Sequence, residues 1–174
     1  PYLLPAGTFS SLRKLWISRC HNMKQLFTVQ LLQSLQNLRE LCVNNCEGLE
    51  EIAADGKGVG QGGGEGIQFT SSERATANVI LPKLRKLSLD KLPQLKNICK
   101  AAMIYESIEE IAIFNCPNIK KLPSFLSTID GPPSLPSTLR KIRGDKEWWE
   151  SLEWDNLCAK KALGPFFTID RWDW

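Results

Sequence analysis

Five times along the chain an aliphatic residue is followed three positions later by a second, and in four of the five copies a third comes two positions after that. The copies are Leu12-x-x-Leu15-x-Ile17-x-x-Cys20, Leu38-x-x-Leu41-x-Val43-x-x-Cys46, Leu84-x-x-Leu87-x-Leu89-x-x-Leu92 and Ile108-x-x-Ile111-x-Ile113-x-x-Cys116, with a degenerate fifth at Leu139-x-x-Ile142-x-Gly144. Each clear copy adds an aliphatic residue three further on (Met23, Leu49, Leu95, Ile119) and one more after another three (Leu26, Ile52, Ile98, Leu122). Residues two apart in a strand share a face, so the second and third aliphatics point one way and the residue between them points the other. One such unit has nothing of its own to bury that face against, and only stacking copy on copy makes a core.

This is the L-x-x-L-x-L-x-x-N/C-x-L signature of leucine-rich repeats, with Cys or Leu where Asn often stands. The fold class predicted is an α/β repeat solenoid. Its parts are a short right-handed horseshoe arc, a parallel β-sheet on the concave face, an irregular or short-helical convex side and a Trp-rich helical cap at the C-terminus. Copies start 26, 46, 24 and 31 residues apart, and only the second interval is anomalous. It holds an insertion, 54–77, in which seven of the eleven positions from 56 to 66 are glycine. Such a segment supplies no apolar side chains and loses much conformational entropy on ordering, which predicts a flexible loop. Residues 29–37 and 98–108 are spaced for short helices or irregular turns. Pro-rich 131–136 interrupts the last coil. The run from Asp145 to Trp154 predicts a helix with Asp145 as N-cap, whose Trp148 and Leu152 close the open end of the core. The chain thus divides into repeats over 1–144 and a cap with tail over 145–174.

With 22 Lys and Arg against 19 Asp and Glu the formal charge is +3, too balanced for a nucleic-acid or anionic-membrane partner. No apolar stretch reaches the ~18 residues of a membrane span, and the first residues carry no export signal. The chain lacks an initiator Met and enters a repeat almost at once, which reads as a fragment with its upstream domains missing. Cys20, Cys46 and Cys116 hold one inward repeat position and are expected as buried free thiols. Catalytic constellations fail. Gly58 to Gly63 satisfies G-x-G-x-x-G without a strand before it or a helix after it. His21 is the lone histidine and reads as a solvated turn residue, and the acid pairs Glu50-Glu51 and Glu109-Glu110 read as solvated surface.

Outward residues of the strands form three columns across the concave sheet. The first, Lys14, Glu40, Lys86, Glu110 and Lys141, alternates in sign, which suits either a self-neutralising ladder or a charged docking track. The second is Trp16, Cys42, Ser88, Ala112 and Arg143, and the third Ser18, Asn44, Asp90, Phe114 and Asp145. Trp16 and Phe114 are therefore expected as exposed aromatics, the type enriched at binding hot spots. Cys42 is expected to be an unactivated thiol.

Segments 35–52 and 81–96, with the double-Trp ending 139–155, resemble the C-terminal repeats of plant disease-resistance proteins of the coiled-coil, nucleotide-binding, leucine-rich-repeat class. The resemblance runs from about 9 to 155 and fails in the Gly-rich insertion and in the tail 165–174. It implies a cytoplasmic sensor whose repeats hold an ATPase module in its ADP-bound resting state. It also implies recognition of a pathogen effector, or of a host protein that an effector has altered. The partners implied are a protein ligand and, within one polypeptide, the upstream switch domain. ADP or ATP would bind that upstream domain, so no cofactor, catalytic or metal residue is assigned here. Two other readings of the repeats stay open, a substrate-recruiting subunit of a ubiquitin ligase and a leucine-rich-repeat inhibitor or scaffold. If no coil precedes the first copy, the strand at Leu15 has an open edge and self-association is expected.

Overall fold

A computed structural model describes residues 9–54, 79–99, 103–122, 136–154 and 157–170. The first coil contributes β1 (Lys14–Ser18) and β2 (Gln25–Thr28), and helix α1 (Val29–Ser34) leads to β3 (Glu40–Asn44) and β4 (Glu51–Ala54) of the second. The third coil contributes β5 (Val79–Ile80), β6 (Lys86–Asp90) and β7 (Asn97–Cys99); the fourth, β8 (Met103–Ile104) and β9 (Glu110–Phe114). Then come β10 (Lys141–Gly144), α2 (Lys146–Glu150), α3 (Leu157–Leu163), a 3-10 turn (Gly164–Phe166) and β11 (Phe167–Thr168). The Gly-rich insertion and most of the Pro-rich run lie outside the described residues.

The strand copies stack as expected into one parallel sheet, in the order β1-β3-β6-β9-β10-β11. Register follows the repeat: Leu15, Leu41, Leu87, Ile111 and Ile142 lie side by side, as do Ile17, Val43, Leu89 and Ile113. From the second coil onward these inward residues are at most 1% exposed, so each contributes about 1.5–3 kcal/mol of burial. In the first coil Leu15, Ile17 and Cys20 are only half-buried, because β1 pairs on one side alone among the described residues.

A turn of one kind ends each of the first four repeat strands. Arg19, Asn45, Lys91 and Asn115 have φ of 57°, 52°, 53° and 51°, the left-handed region that Asn tolerates better than Lys or Arg. In the first three, the turn amide extends the ladder to the next coil: Arg19 N to Asn44 O at 3.1 Å, Asn45 N to Asp90 O at 2.9 Å, and Lys91 N to Phe114 O at 3.2 Å. In the fourth, the Asn115 amide donates instead to Asp145 Oδ2 at 2.6 Å. Asp145 does stand at the N-cap of α2, but its side chain makes no capping bond, because the neighbouring coil has taken it.

The thiols of Cys20, Cys46 and Cys116 turn back onto the carbonyls of Ser18, Asn44 and Phe114, at 3.6, 3.4 and 3.1 Å. This local bond satisfies a carbonyl at the bend with a small, otherwise apolar side chain.

The opposite side is more regular than its spacing suggested. Helix α1 falls within the span expected to be helical, with Thr28 Oγ1 accepting from the Leu31 amide at 3.2 Å. Within 98–108, residues 98–99 end β7 and 103–104 form β8, while 105–108 make the irregular turn that the spacing suits. The strands β2, β4 and β7 form a second parallel sheet, and β5 pairs with β8. Their backbone groups find partners in neighbouring coils.

At the C-terminal end Trp148, Trp149 and Leu152 are buried, and Trp148 Nε1 donates to Ile119 O at 3.1 Å. The cap therefore docks on the fourth coil, as the solenoid requires. The tail is also part of the structure: β11 joins the main sheet beside β10, and Phe167 stacks on Trp149 with centroids 4.3 Å apart and planes 9° from parallel.

Candidate functional site

Within the strands the three outward columns are in register across the sheet, so their members are true neighbours; only Asp145, one residue past β10, lies outside the ladder. In the first, Lys14 Nζ lies 2.8 Å from Glu40 Oε1. At the other end the pairing is diagonal, with Glu110 Oε1 2.9 Å from Arg143 Nε and Lys141 Nζ 2.7 Å from Asp170 Oδ2 in the tail. The Glu110–Arg143 pair is the better shielded, at 20% and 15% side-chain exposure, but its two atoms lie off a hydrogen-bonding line, so the contact is Coulombic. Lys141 holds the Asp170 carboxyl below its ordinary range, by hydrogen bond and then by charge. Ion pairs open to solvent contribute little to stability.

In the second column Trp16 is 66% exposed, as parity predicts. Cys42 is half-buried, and its thiol is raised above the ordinary cysteine range by burial, with Lys86 lowering it and Glu40 raising it in smaller measure. A thiol held in its protonated form is a poor nucleophile. Ser88 and Ala112 are buried, and Arg143 closes the column in its pair with Glu110.

The third column departs furthest from expectation. Ser18 is exposed and Asn44 half-buried, but Asp90 is buried, accepting from Asn115 Nδ2 at 2.7 Å and from Asn44 Nδ2 at 3.4 Å. Phe114 is only 3% exposed, so it is not the second open aromatic. Strand parity places its ring on the outer side, and the ring is absent from the interior cluster. Parity fixes which face a side chain takes but not whether that face is covered, and covering a phenyl ring is favourable. Ser88, Asp90, Ala112 and Phe114 thus form a closed block on the outer side of β6 and β9, while the accessible candidates are Lys14, Trp16, Ser18 and, in part, Glu40, Asn44, Lys86, Glu110, Lys141 and Arg143.

Another row went unnoticed in the sequence because it precedes the strands. Arg13, Arg39, Arg85, Glu109 and Arg140 stack coil on coil through backbone bonds of 2.7 to 2.8 Å. With the first column they line an open cleft of about 680 Å³. The signal was present as the residue after each leading aliphatic, Arg in four copies of five.

Among the described residues no group of His, Cys, Asp and Glu is arranged to hold a metal ion, and no helix is long and apolar enough to cross a membrane. His21 lies exposed in a turn, its Nδ1 4.0 Å from Glu47 Oε1.

Comparison with known proteins agrees with this architecture. Residues 2–128 match the family model described as plant disease resistance protein RPS2-like, leucine-rich repeats. Disease resistance protein At4g27190 of Arabidopsis thaliana is 26% identical over 92% of this chain and 14% of its own length. Probable disease resistance protein At4g27220 of the same plant is 33% identical over 64% of the chain and 11% of its own length. Disease resistance protein RPS5, also from Arabidopsis thaliana, is 26% identical over 95% of the chain and 16% of its own length. The chain thus spans about a seventh of these relatives. No solved structure matches it. With a stacked repeat core, a matching family model over most of its length and several related resistance proteins, the chain belongs to the leucine-rich repeats of RPS2-like plant disease resistance proteins.

Proposed function

We propose that this chain is the protein-recognition surface of an intracellular plant immune receptor, working in the cytoplasm. It recognises a pathogen effector, or a host protein that an effector has modified, and restrains the receptor's nucleotide-binding switch through intramolecular contact. The observation that carries this reading is Trp16, 66% exposed on the outer face of an in-register parallel sheet and flanked there by Lys14 and Glu40. A rigid aromatic among charges is the residue type that dominates protein interfaces, where truncation to Ala costs 2 kcal/mol or more, about 30-fold in affinity. The family relationship supports the immune context.

The test belongs in the full-length receptor, with Trp16→Ala and Lys86→Glu introduced singly and together and accumulation checked by immunoblot. Loss of the response to infection, or cell death without infection, is the expected result, the first reporting recognition and the second restraint. Normal basal and triggered responses in all three variants would overturn the reading.

A further inference from the structure

The two charged rows beside the cleft obey different rules. In the first column neighbours alternate in sign, and its members pair with opposite charges: Lys14 with Glu40, Glu110 with Arg143 and Lys141 with Asp170. In the row before it, Arg13, Arg39 and Arg85 occupy three successive coils with no carboxylate between them, tied by Arg39 N to Arg13 O at 2.7 Å and Arg85 N to Arg39 O at 2.8 Å. Like charges directly opposite repel. Arg85 finds partial relief from Glu109 at 3.7 Å. Among the described residues no carboxylate lies within ion-pair distance of Arg13, Arg39 or Arg140, and all three side chains are exposed.

The cleft concentrates the charge of the molecule. Its lining holds seven cations and three carboxylates, a net +4, against +3 for the whole chain, so everything outside it sums to −1. The three carboxylates are already engaged: Glu40 by Lys14, Glu109 by Arg85 and Glu110 by Arg143. What remains on offer is a file of guanidinium forks, which bind carboxylates bidentately. At about 4.8 Å per coil the file spans about 19 Å from Arg13 to Arg140.

We infer that this strand-entry cleft docks an acidic protein segment, with Arg13, Arg39 and Arg140 as its principal contacts. The occupant is a peptide, not a polynucleotide, because three fixed carboxylates and a net charge of only +4 oppose a continuous phosphate backbone. Separated Asp and Glu side chains match a lining in which carboxylates interrupt the cations. The inference shares with the proposed function the premise that the repeats bind protein and, at the cleft margin, Lys86; its principal contacts, Arg13, Arg39 and Arg140, belong to neither variant tested there.

The test is fluorescence anisotropy with the full chain and a labelled Glu-rich dodecapeptide at 50 mM salt. Arg13→Glu with Arg39→Glu should weaken binding at least tenfold, and Arg39→Gln should fall between. Raising salt to 300 mM should weaken the wild type severalfold. Unchanged thermal melting confirms that each variant is folded; if the double reversal melts early, Arg39→Gln and Arg140→Gln carry the comparison. Absence of saturable binding, indifference to the arginine changes, or tighter binding of a single-stranded oligonucleotide of equal charge would each overturn the inference. Loss of the Trp16 effect in the full-length receptor would leave this result standing, so the two readings fail separately.

Discussion

Gly144 ends the last repeat strand directly beneath the cap, and replacing it with Ala tests whether the cap is packed as tightly as the coils. A Cβ there would lie 2.4 and 2.5 Å from Cε3 and Cζ3 of Trp148, and 2.8 Å from the backbone oxygen of Ile113. The indole has little room to retreat, being 3% exposed and bonded through Nε1 to Ile119 O at 3.1 Å. Overpacking of this kind costs about 1–3 kcal/mol, and displacing the indole from its buried carbonyl adds about 1 kcal/mol, so Gly144→Ala should lose about 2–4 kcal/mol. Urea unfolding followed by far-UV circular dichroism measures this in the wild type, in Gly144→Ala, in Trp148→Leu and in the double variant. Trp148→Leu removes the ring and leaves only the clash with Ile113 O. The alanine should therefore cost at least ~1 kcal/mol less in that background, a coupling well above the error of such cycles. An alanine variant within ~0.5 kcal/mol of wild type, or one equally destabilised in both backgrounds, would refute the packing argument.

The remaining expectations are simpler to state. Burial pushes the Cys116 thiol up to about 12 and raises that of Cys46, so both should resist iodoacetamide at neutral pH until the chain unfolds, as mass spectrometry would show; labelling of either at the rate of a free thiol contradicts the packing. Glu50, bonded to Lys96 and near Lys24, and Asp170, bonded to Lys141, have carboxyls held below their ordinary range. A depressed folded-state value contributes stability above the unfolded carboxylate range of about 4, and that contribution disappears as pH falls through the folded value. Glu50→Gln with Asp170→Asn should thus flatten the fall in urea midpoint between about pH 5 and 3 relative to wild type, and an unchanged slope would count against both pairs. Among the described residues β1 pairs on one side only, with Leu15 and Ile17 half-buried and Met23 41% exposed, and self-association through that side is expected in sedimentation velocity; a monomer at all concentrations refutes that.

What could be read from the residues follows from what repeats. Leu41, Leu87 and Ile111 recur at fixed phase, so one physical rule, burial of the same face, sets strand, register and stacking order together. Trp148 and Leu152 were legible in the same way, from helical spacing. Features set by contacts between distant segments were not. Nothing periodic marks Phe167 as a sixth strand, because its pairing depends on where α3 and the following turn return the chain. Nothing local reveals that Phe114 is covered, since its sequence neighbours are those of an outward residue. Asp145 has the composition of a capping residue in its own helix, yet the unsatisfied Asn115 amide of the coil below competes for the same oxygen and wins, at 2.6 Å.

The same contrast between repeated and unrepeated features bears on where a ligand binds. In a stacked sheet each side chain's nearest neighbours are its own equivalents, about 4.8 Å away on either side, so the charge pattern down a column decides its electrostatics. A column that alternates, such as Lys14, Glu40 and Lys86, cancels within one coil and leaves little field for a partner to feel. A column that repeats its sign keeps its field and its mutual repulsion, and an oppositely charged partner relieves both at once. By that criterion the arginines preceding the strands outrank the lysines on them, although the lysines lie nearer the centre of the sheet. Trp16 escapes the criterion because it is uncharged, and its claim rests on exposed area alone. On the two proposals, recognition by this surface divides into an electrostatic part at the strand-entry cleft and an apolar part at Trp16. Added salt should weaken the first and leave the second nearly unchanged.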